Sequence, residues 1–168
     1  MALPTVVFSH GKESGPTGSK ILAMVEVARD FGLETHSIDY RGVDDPYKRV
    51  QMCLDVVNKV EVPPILVGSS MGGYVSTAVA SQIKVHAVFV LAPAFGMPGY
   101  PELTAPVCPI EIVHGWSDDV VPVENSIRFA RENKVTLHLV DGGHRLNENI
   151  QVICHLLRYF LSAQTRVD

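Results

Sequence analysis

Ser70 lies at the centre of Gly68-Ser69-Ser70-Met71-Gly72-Gly73, directly after the apolar run Ile65-Leu66-Val67. A Gly-x-Ser-x-Gly pattern between a strand and a helix holds the hydroxyl clear of the backbone on a sharp turn, and the glycines allow close approach. A helix starting at about Met71 would aim its free N–H groups and positive end at a developing oxyanion. That arrangement suits nucleophilic attack on a carbonyl carbon. The competing reading is a glycine-rich turn that only lets a helix pack closely on a sheet. Ser69, the neighbouring hydroxyl, is expected to support rather than react.

A hydroxyl is a poor nucleophile and needs a base oriented by a third group. Gly115-Trp116-Ser117-Asp118-Asp119 follows the strand-like Ile110–His114, and Asp141-Gly142-Gly143-His144-Arg145 follows Val135–Val140. The order Ser70, Asp118, His144 fits a nucleophile, an orienting acid and a base at successive strand ends. Asp119 competes with Asp118, although it is better placed to cap a helix near Pro122. Asp141 reads as a turn residue.

Of the other histidines, His36, His86, His138 and His155 fall in strand- or helix-like segments and read as structural or surface groups. His10 and His114 each precede a glycine at a strand end and are expected to brace loops. His144 follows two glycines that would let its loop bend toward the serine.

The first loop, His10-Gly11-Lys12-Glu13-Ser14-Gly15-Pro16, could turn the Lys12 N–H into the crevice beside that of Met71, forming a two-donor oxyanion hole. A phosphate-binding loop is the rival, but Gly15 is followed by Pro16 and Thr17 rather than by the residues that motif requires.

These residues need a scaffold that places strand ends side by side. The chain alternates apolar runs with amphipathic segments. Thr5–Ser9, Glu34–Tyr40, Pro64–Gly68, His86–Leu91, Ile110–His114 and Val135–Val140 read as strands. Lys20–Phe31, Pro46–Lys59, Met71–Gln82, Pro122–Asn133 and Asn147–Leu161 read as helices. Gly32 reads as a helix stop and Pro122 as a first-turn residue. The expected apolar faces are Ile21, Leu22, Val25 and Ala28; Val50, Leu54 and Val57; and Ile150, Ile153, Leu157 and Leu161. Six strands alternating with helices predict an α/β fold: a six-stranded, mainly parallel, doubly wound sheet with helices on both faces. In such sheets, ligands bind beyond the C-terminal strand ends.

The 168 residues fit one domain, with a hydrophobic share of 46% and a charged share of 19%. That composition excludes a disordered chain. No apolar run reaches membrane-span length. A net charge of -4 with no basic cluster argues against a nucleic-acid surface. Cys53, Cys108 and Cys154 are widely spaced and odd in number, fitting neither a disulfide framework nor a thiolate zinc site. With no basic n-region at the start, a cytoplasmic location is expected.

Taken together, His10-Gly11, Asp39-Tyr40-Arg41-Gly42, Gly68-Ser69-Ser70-Met71-Gly72, His114-Gly115-x-x-Asp118-x-x-Val121-Pro122 and Gly143-His144 resemble the α/β-hydrolase superfamily across nearly the whole chain. The closest resemblance is to the small lidless bacterial serine esterases. It implies a minimal fold without a lid domain, since only Pro93–Thr104 lie where relatives insert one. It also implies that Asp118, rather than Asp119, is the acid. Lys12 and Glu13 depart from the apolar residues many relatives carry, and the chain opens directly in the first parallel strand.

The expected activity is a serine hydrolase acting on a small-molecule acyl ester or thioester through an acyl-enzyme, with no metal or organic cofactor. Phe95, Met97, Tyr100 and Trp116 are candidates to line its pocket. They could equally cover the end of the sheet as core. The alternative is a non-catalytic binding or signalling module on the same scaffold. A monomer or a homodimer fits equally.

Overall fold

The segments Val6–Phe8, Ile65–Val67 and Val88–Leu91 are apolar on both faces, so they stand inside a sheet covered on two sides. The computed structural model describes residues 2–165. It contains β1 (Val6–Ser9), α1 (Ser19–Asp30), β2 (Thr35–Ile38), α2 (Pro46–Val57), β3 (Ile65–Ser69), α3 (Met71–Ala80), β4 (Ala87–Leu91), β5 (Ile110–Gly115), α4 (Val123–Asn133), β6 (Thr136–Val140) and α5 (Ile150–Gln164). The strands form one sheet in the order β2-β1-β3-β4-β5-β6, and every neighbouring pair is parallel. The expected mainly parallel sheet is therefore wholly parallel.

The two-residue period of a strand divides the core. Val7, Leu66, Val88, Val90 and Ile112 face α2, α3 and α4 through Val50, Val75, Val79 and Phe129. Val6, Phe8, Ile65, Val67, Phe89 and Val113 face α1 and α5 through Met24, Ala28, Leu157 and Phe160. Among the described residues, the 92–109 connection holds no helix or strand, so no lid covers the sheet. The chain leaves β1 toward β2 on one side and returns to β3 on the other. This reversal opens the crevice at the carboxyl ends where ligands bind in such folds.

Several local expectations shift. In α1, Met24 and Val27 are buried while Leu22 is exposed. Apolar residues occupy much of the circumference of α1, so spacing alone does not select its buried face. In α2, Arg49 and Cys53 join Val50 and Val57 inside, and Leu54 is only partly buried. Pro122 is the N-cap of α4, one position before the first turn, and no side chain, Asp119 included, caps that helix. A 3₁₀ turn, Asn147–Asn149, precedes α5.

Gly32 does end α1. It adopts φ +70, its N–H donates to Arg29 O at 2.8 Å, and Leu33 N–H donates to Ala28 O at 3.2 Å. This pair of bonds satisfies the last carbonyls of the helix.

Candidate active site

The turn after β3 is fixed by what its glycines lack. A Cβ on Gly68 would lie 2.1 Å from Gly72 O, and one on Gly72 would lie 1.9 Å from Ser9 O. The glycines therefore do allow close packing of α3 on the sheet, and that packing also shapes the turn that carries Ser70. Ser70 sits there at φ 56 and ψ −117, a strained conformation for a residue with a side chain. The end of β4 holds it in place: Ser70 N–H donates to Leu91 O at 2.9 Å, and Ala94 N–H donates to Ser70 O at 3.0 Å.

Ser70 Oγ lies 2.9 Å from His144 Nε2, and His144 Nδ1 lies 2.8 Å from Asp118 Oδ2. Three side chains from the ends of β3, β5 and β6 thus meet. The Asp118 side chain is fully buried. Burial alone would raise its pKa. Hydrogen bonds from His144 and from the backbone at Val121 and Val120 outweigh that effect and hold the group below the usual carboxylate range. Its Oδ1 accepts from Val120 N–H and Val121 N–H at 2.9 and 2.8 Å. A carboxylate facing His144 Nδ1 fixes the proton there and leaves Nε2 free to accept from the serine.

A second histidine shares the same carboxylate oxygen. His114 Nε2 is 3.0 Å from Asp118 Oδ2 and 3.1 Å from Val121 O, and His114 Nδ1 is 2.7 Å from Ser126 Oγ. A carbonyl can only accept, so the proton sits on Nε2 and Ser126 donates to Nδ1. Burial lowers the pKa of His114 and keeps it neutral. His114 braces Asp118 within the loop that follows β5.

His10 is locked in the opposite tautomer. Tyr40 N–H donates to His10 Nε2 at 2.9 Å, so Nδ1 carries the proton and donates to Gly11 O at 2.7 Å. Burial lowers its pKa as well.

The left-handed residue in the loop bearing His144 is not one of its glycines. Neither Gly142 nor Gly143 adopts a left-handed conformation, whereas buried Leu146 does, at φ 53. Gly115 provides the close approach: a Cβ there would lie 2.1 Å from Gly142 O, which accepts from Ser117 N–H at 3.0 Å.

The crevice above these groups measures about 760 Å³ and is lined by Lys12, Ser70, Ala94, Met97, Tyr100 and His144, among others. Lys20, half-buried on its wall, reaches Arg145 O at 2.5 Å. Burial and the neighbouring Arg145 charge pull its amine down to about 8.

Of the residues expected to line the pocket, Met97 and Tyr100 do so. Phe95 does not; it is buried in the core, its ring centroid 4.4 Å from that of Phe129. Trp116 is 57% exposed and lies outside the crevice wall. Its backbone extends the β5–β6 pairing through a bond to Val140 O, so the chain carries it past the sheet. Lys12 lines the crevice, whereas the Met71 side chain is buried in the core at the start of α3. Asp119 is exposed on the crevice rim, and His36, His86 and His155 are exposed elsewhere. His138 pairs with Glu111 at 2.7 Å.

Sequence reasoning missed Arg49. The i, i+4, i+8 spacing puts it on one stripe with Cys53 and Val57, and the structure shows that this stripe is buried.

Comparison with known proteins follows the same lines. The palmitoyl-protein thioesterase ABHD10, mitochondrial, of Bos taurus is 26% identical over an alignment of 214 residues, covering 89% of this chain and 69% of that protein. A Xanthomonas campestris pv. campestris structure assigned to the hydrolases of the alpha/beta superfamily is 31% identical, with a TM-score of 0.90 over 96% of this chain and 99% of the other. Est1E from Butyrivibrio proteoclasticus shares the fold at 19% identity, with a TM-score of 0.83 over 96% of this chain and 88% of that one. The model of the alpha/beta hydrolase family matches residues 6–119, from β1 through the strand end that carries the buried acid, and the chain belongs to that family.

Proposed function

We propose that the protein is a serine hydrolase that cleaves carboxylic esters, thioesters included, through an acyl-enzyme. The observation that carries this reading is the 2.9 Å approach of Ser70 Oγ to His144 Nε2, with the imidazole's other nitrogen on a buried carboxylate. Ser70 Oγ attacks the acyl carbon as its proton passes to Nε2. The imidazolium formed is stabilised by Asp118. The tetrahedral intermediate collapses, Nε2 gives its proton to the departing alcohol or thiol, and the acyl group remains on Ser70. Water, deprotonated by the same nitrogen, then releases the acid.

The N–H groups of Lys12 and Met71 are assigned to the oxyanion, and Met97 and Tyr100 to the substrate's apolar part. The thioesterase name of the 26% identical bovine relative supports including thioesters. The three free cysteines support a reducing compartment such as the cytoplasm.

Labelling with a fluorophosphonate followed by peptide mapping tests the assignment. The label is expected on Ser70, and absence of label or its recovery elsewhere would overturn the mechanism. Ser70→Ala should lower kcat on short-chain p-nitrophenyl esters by at least ~10⁴, leaving residual catalysis from binding alone. A wild-type protein that cleaves none of these esters would favour a binding module.

A further inference from the structure

Arg49 is a fully buried cation, 0% exposed, projecting from α2. Moving a guanidinium out of water costs several kcal/mol unless partners compensate. Among the described residues it forms no ion pair, and its Nη2 has no hydrogen-bond partner. Its bonds go to three carbonyls: Nε donates to Val43 O at 2.6 Å, and Nη1 donates to His10 O at 2.9 Å and Gly11 O at 3.3 Å. Its Cζ also lies 5.0 Å from the Tyr40 ring centroid. A cation kept at this cost and bonded to two successive carbonyls of one loop acts on that loop.

The loop is the one that supplies an oxyanion donor in the proposed reaction. Gly11 O takes three donors: His10 Nδ1–H at 2.7 Å, Arg49 Nη1 at 3.3 Å and, at 3.5 Å, the Ser14 hydroxyl. The peptide joining Gly11 to Lys12 is planar and trans, so the Lys12 N–H points opposite to the Gly11 carbonyl. Gly11 itself abuts the serine turn: a Cβ there would be 3.4 Å from Ser70 Cβ. Lys12 and Ser70 line the same crevice, and Arg49 lies outside it. A positive charge on one end of a peptide also polarises the other end, which makes its N–H a stronger donor.

We propose that Arg49 is a positioning residue. It clamps the Gly11–Lys12 peptide from behind the crevice, aiming and polarising the Lys12 N–H toward the oxyanion without touching substrate. This rests on the serine-hydrolase reading, and its test is arranged to fail separately from that reading.

Arg49→Met and Arg49→Gln would be assayed on p-nitrophenyl acetate, and their affinity for an aryl trifluoromethyl ketone, which forms an oxyanion on an active serine, would be measured. kcat should fall about 10²–10³-fold, as for loss of one oxyanion donor, with KM within threefold. Ketone affinity should fall by a similar factor, while the fluorophosphonate still labels Ser70. A purely structural role would instead alter KM and kcat together and would not single out the oxyanion analogue. Either variant retaining kcat within threefold of wild type would overturn the proposal.

Should both variants fail to fold, the wild-type Lys12 amide proton resonance decides. It should move downfield when the ketone binds, and an unmoved resonance would overturn the proposal. A wild-type protein that is neither labelled nor inhibited would instead overturn the hydrolase reading itself.

Discussion

Asp118 accepts hydrogen bonds at both of its oxygens, and its orientation follows from what surrounds it. Two backbone amides hold Oδ1, and two imidazoles share Oδ2. An Asn at this position fits the space but presents an amide N–H where a carboxylate oxygen is needed. Asp118→Asn is therefore expected to hold His144 in the wrong tautomer and lower kcat by about 10⁴ with little change in KM. Steady-state kinetics on p-nitrophenyl acetate checks this, and a loss below tenfold would remove Asp118 from the mechanism.

At this scale the sequence was informative where chemistry imposes a pattern. Ser70 and His144 stand out because each follows a strand in a fixed order, whereas that order leaves Asp118 and Asp119 level and the family resemblance selects Asp118. Arg49 did not stand out, because a lone charged residue in a helix usually faces water. Only the tertiary packing shows that its stripe is the buried one. Phe95 and Trp116 were ambiguous for a related reason: an aromatic residue after a strand can face the core, the crevice or the solvent, and composition does not choose.

At the scale of elements, the β3–α3 turn depends on atoms that are missing. Gly72→Ala would place a methyl 1.9 Å from Ser9 O and 2.7 Å from His10 O. Those are backbone atoms of β1 and its loop, so α3 would have to move away from the sheet. The destabilisation should reach or exceed the upper end of the ~1–3 kcal/mol typical of overpacking, and turnover should fall with it.

Gly32→Ala provides the contrast. Nothing lies within 4 Å of the added methyl, so only the left-handed conformation at φ +70 resists it, at roughly 1–2 kcal/mol. Urea unfolding of both variants separates the two effects. Equal losses would contradict the packing argument.

The element pattern itself was legible from apolar spacing, since strands buried on both faces read as continuous runs. The rotation of α1 and the short 3₁₀ entry to α5 were not, because neighbouring packing sets both.

For the molecule as a whole, two neutral buried histidines set the response to acid. His10 and His114 both have pKa values lowered from 6.5, chiefly by burial. Below about 6.5 the unfolded chain binds protons that the folded chain refuses, so unfolding takes up protons and stability falls as pH drops. Each group adds at most about 1.4 kcal/mol per pH unit to that slope. Asp118 acts lower: its folded pKa lies under 3.8, so its contribution is present above that value and is lost as pH falls through the folded pKa. Urea midpoints should therefore begin to decline from about pH 6.5 downward, before the carboxylates titrate. A midpoint unchanged from pH 7.5 to pH 5 would contradict this account.

The sheet order also divides the labour along the polypeptide. Residues 10–12 and Arg49 precede residue 58, whereas Ser70, Asp118 and His144 follow residue 64. β1 lies between β2 and β3, so the front third of the chain forms one flank of the sheet, with β1 beside the strand that delivers the nucleophile. Under the proposed mechanism, the back portion holds the attacking machinery and the front portion supplies an amide that steadies the charge it creates. A fragment of either kind would keep one half of an unfinished tool, and the seam between β1 and β3 is where the two halves become one.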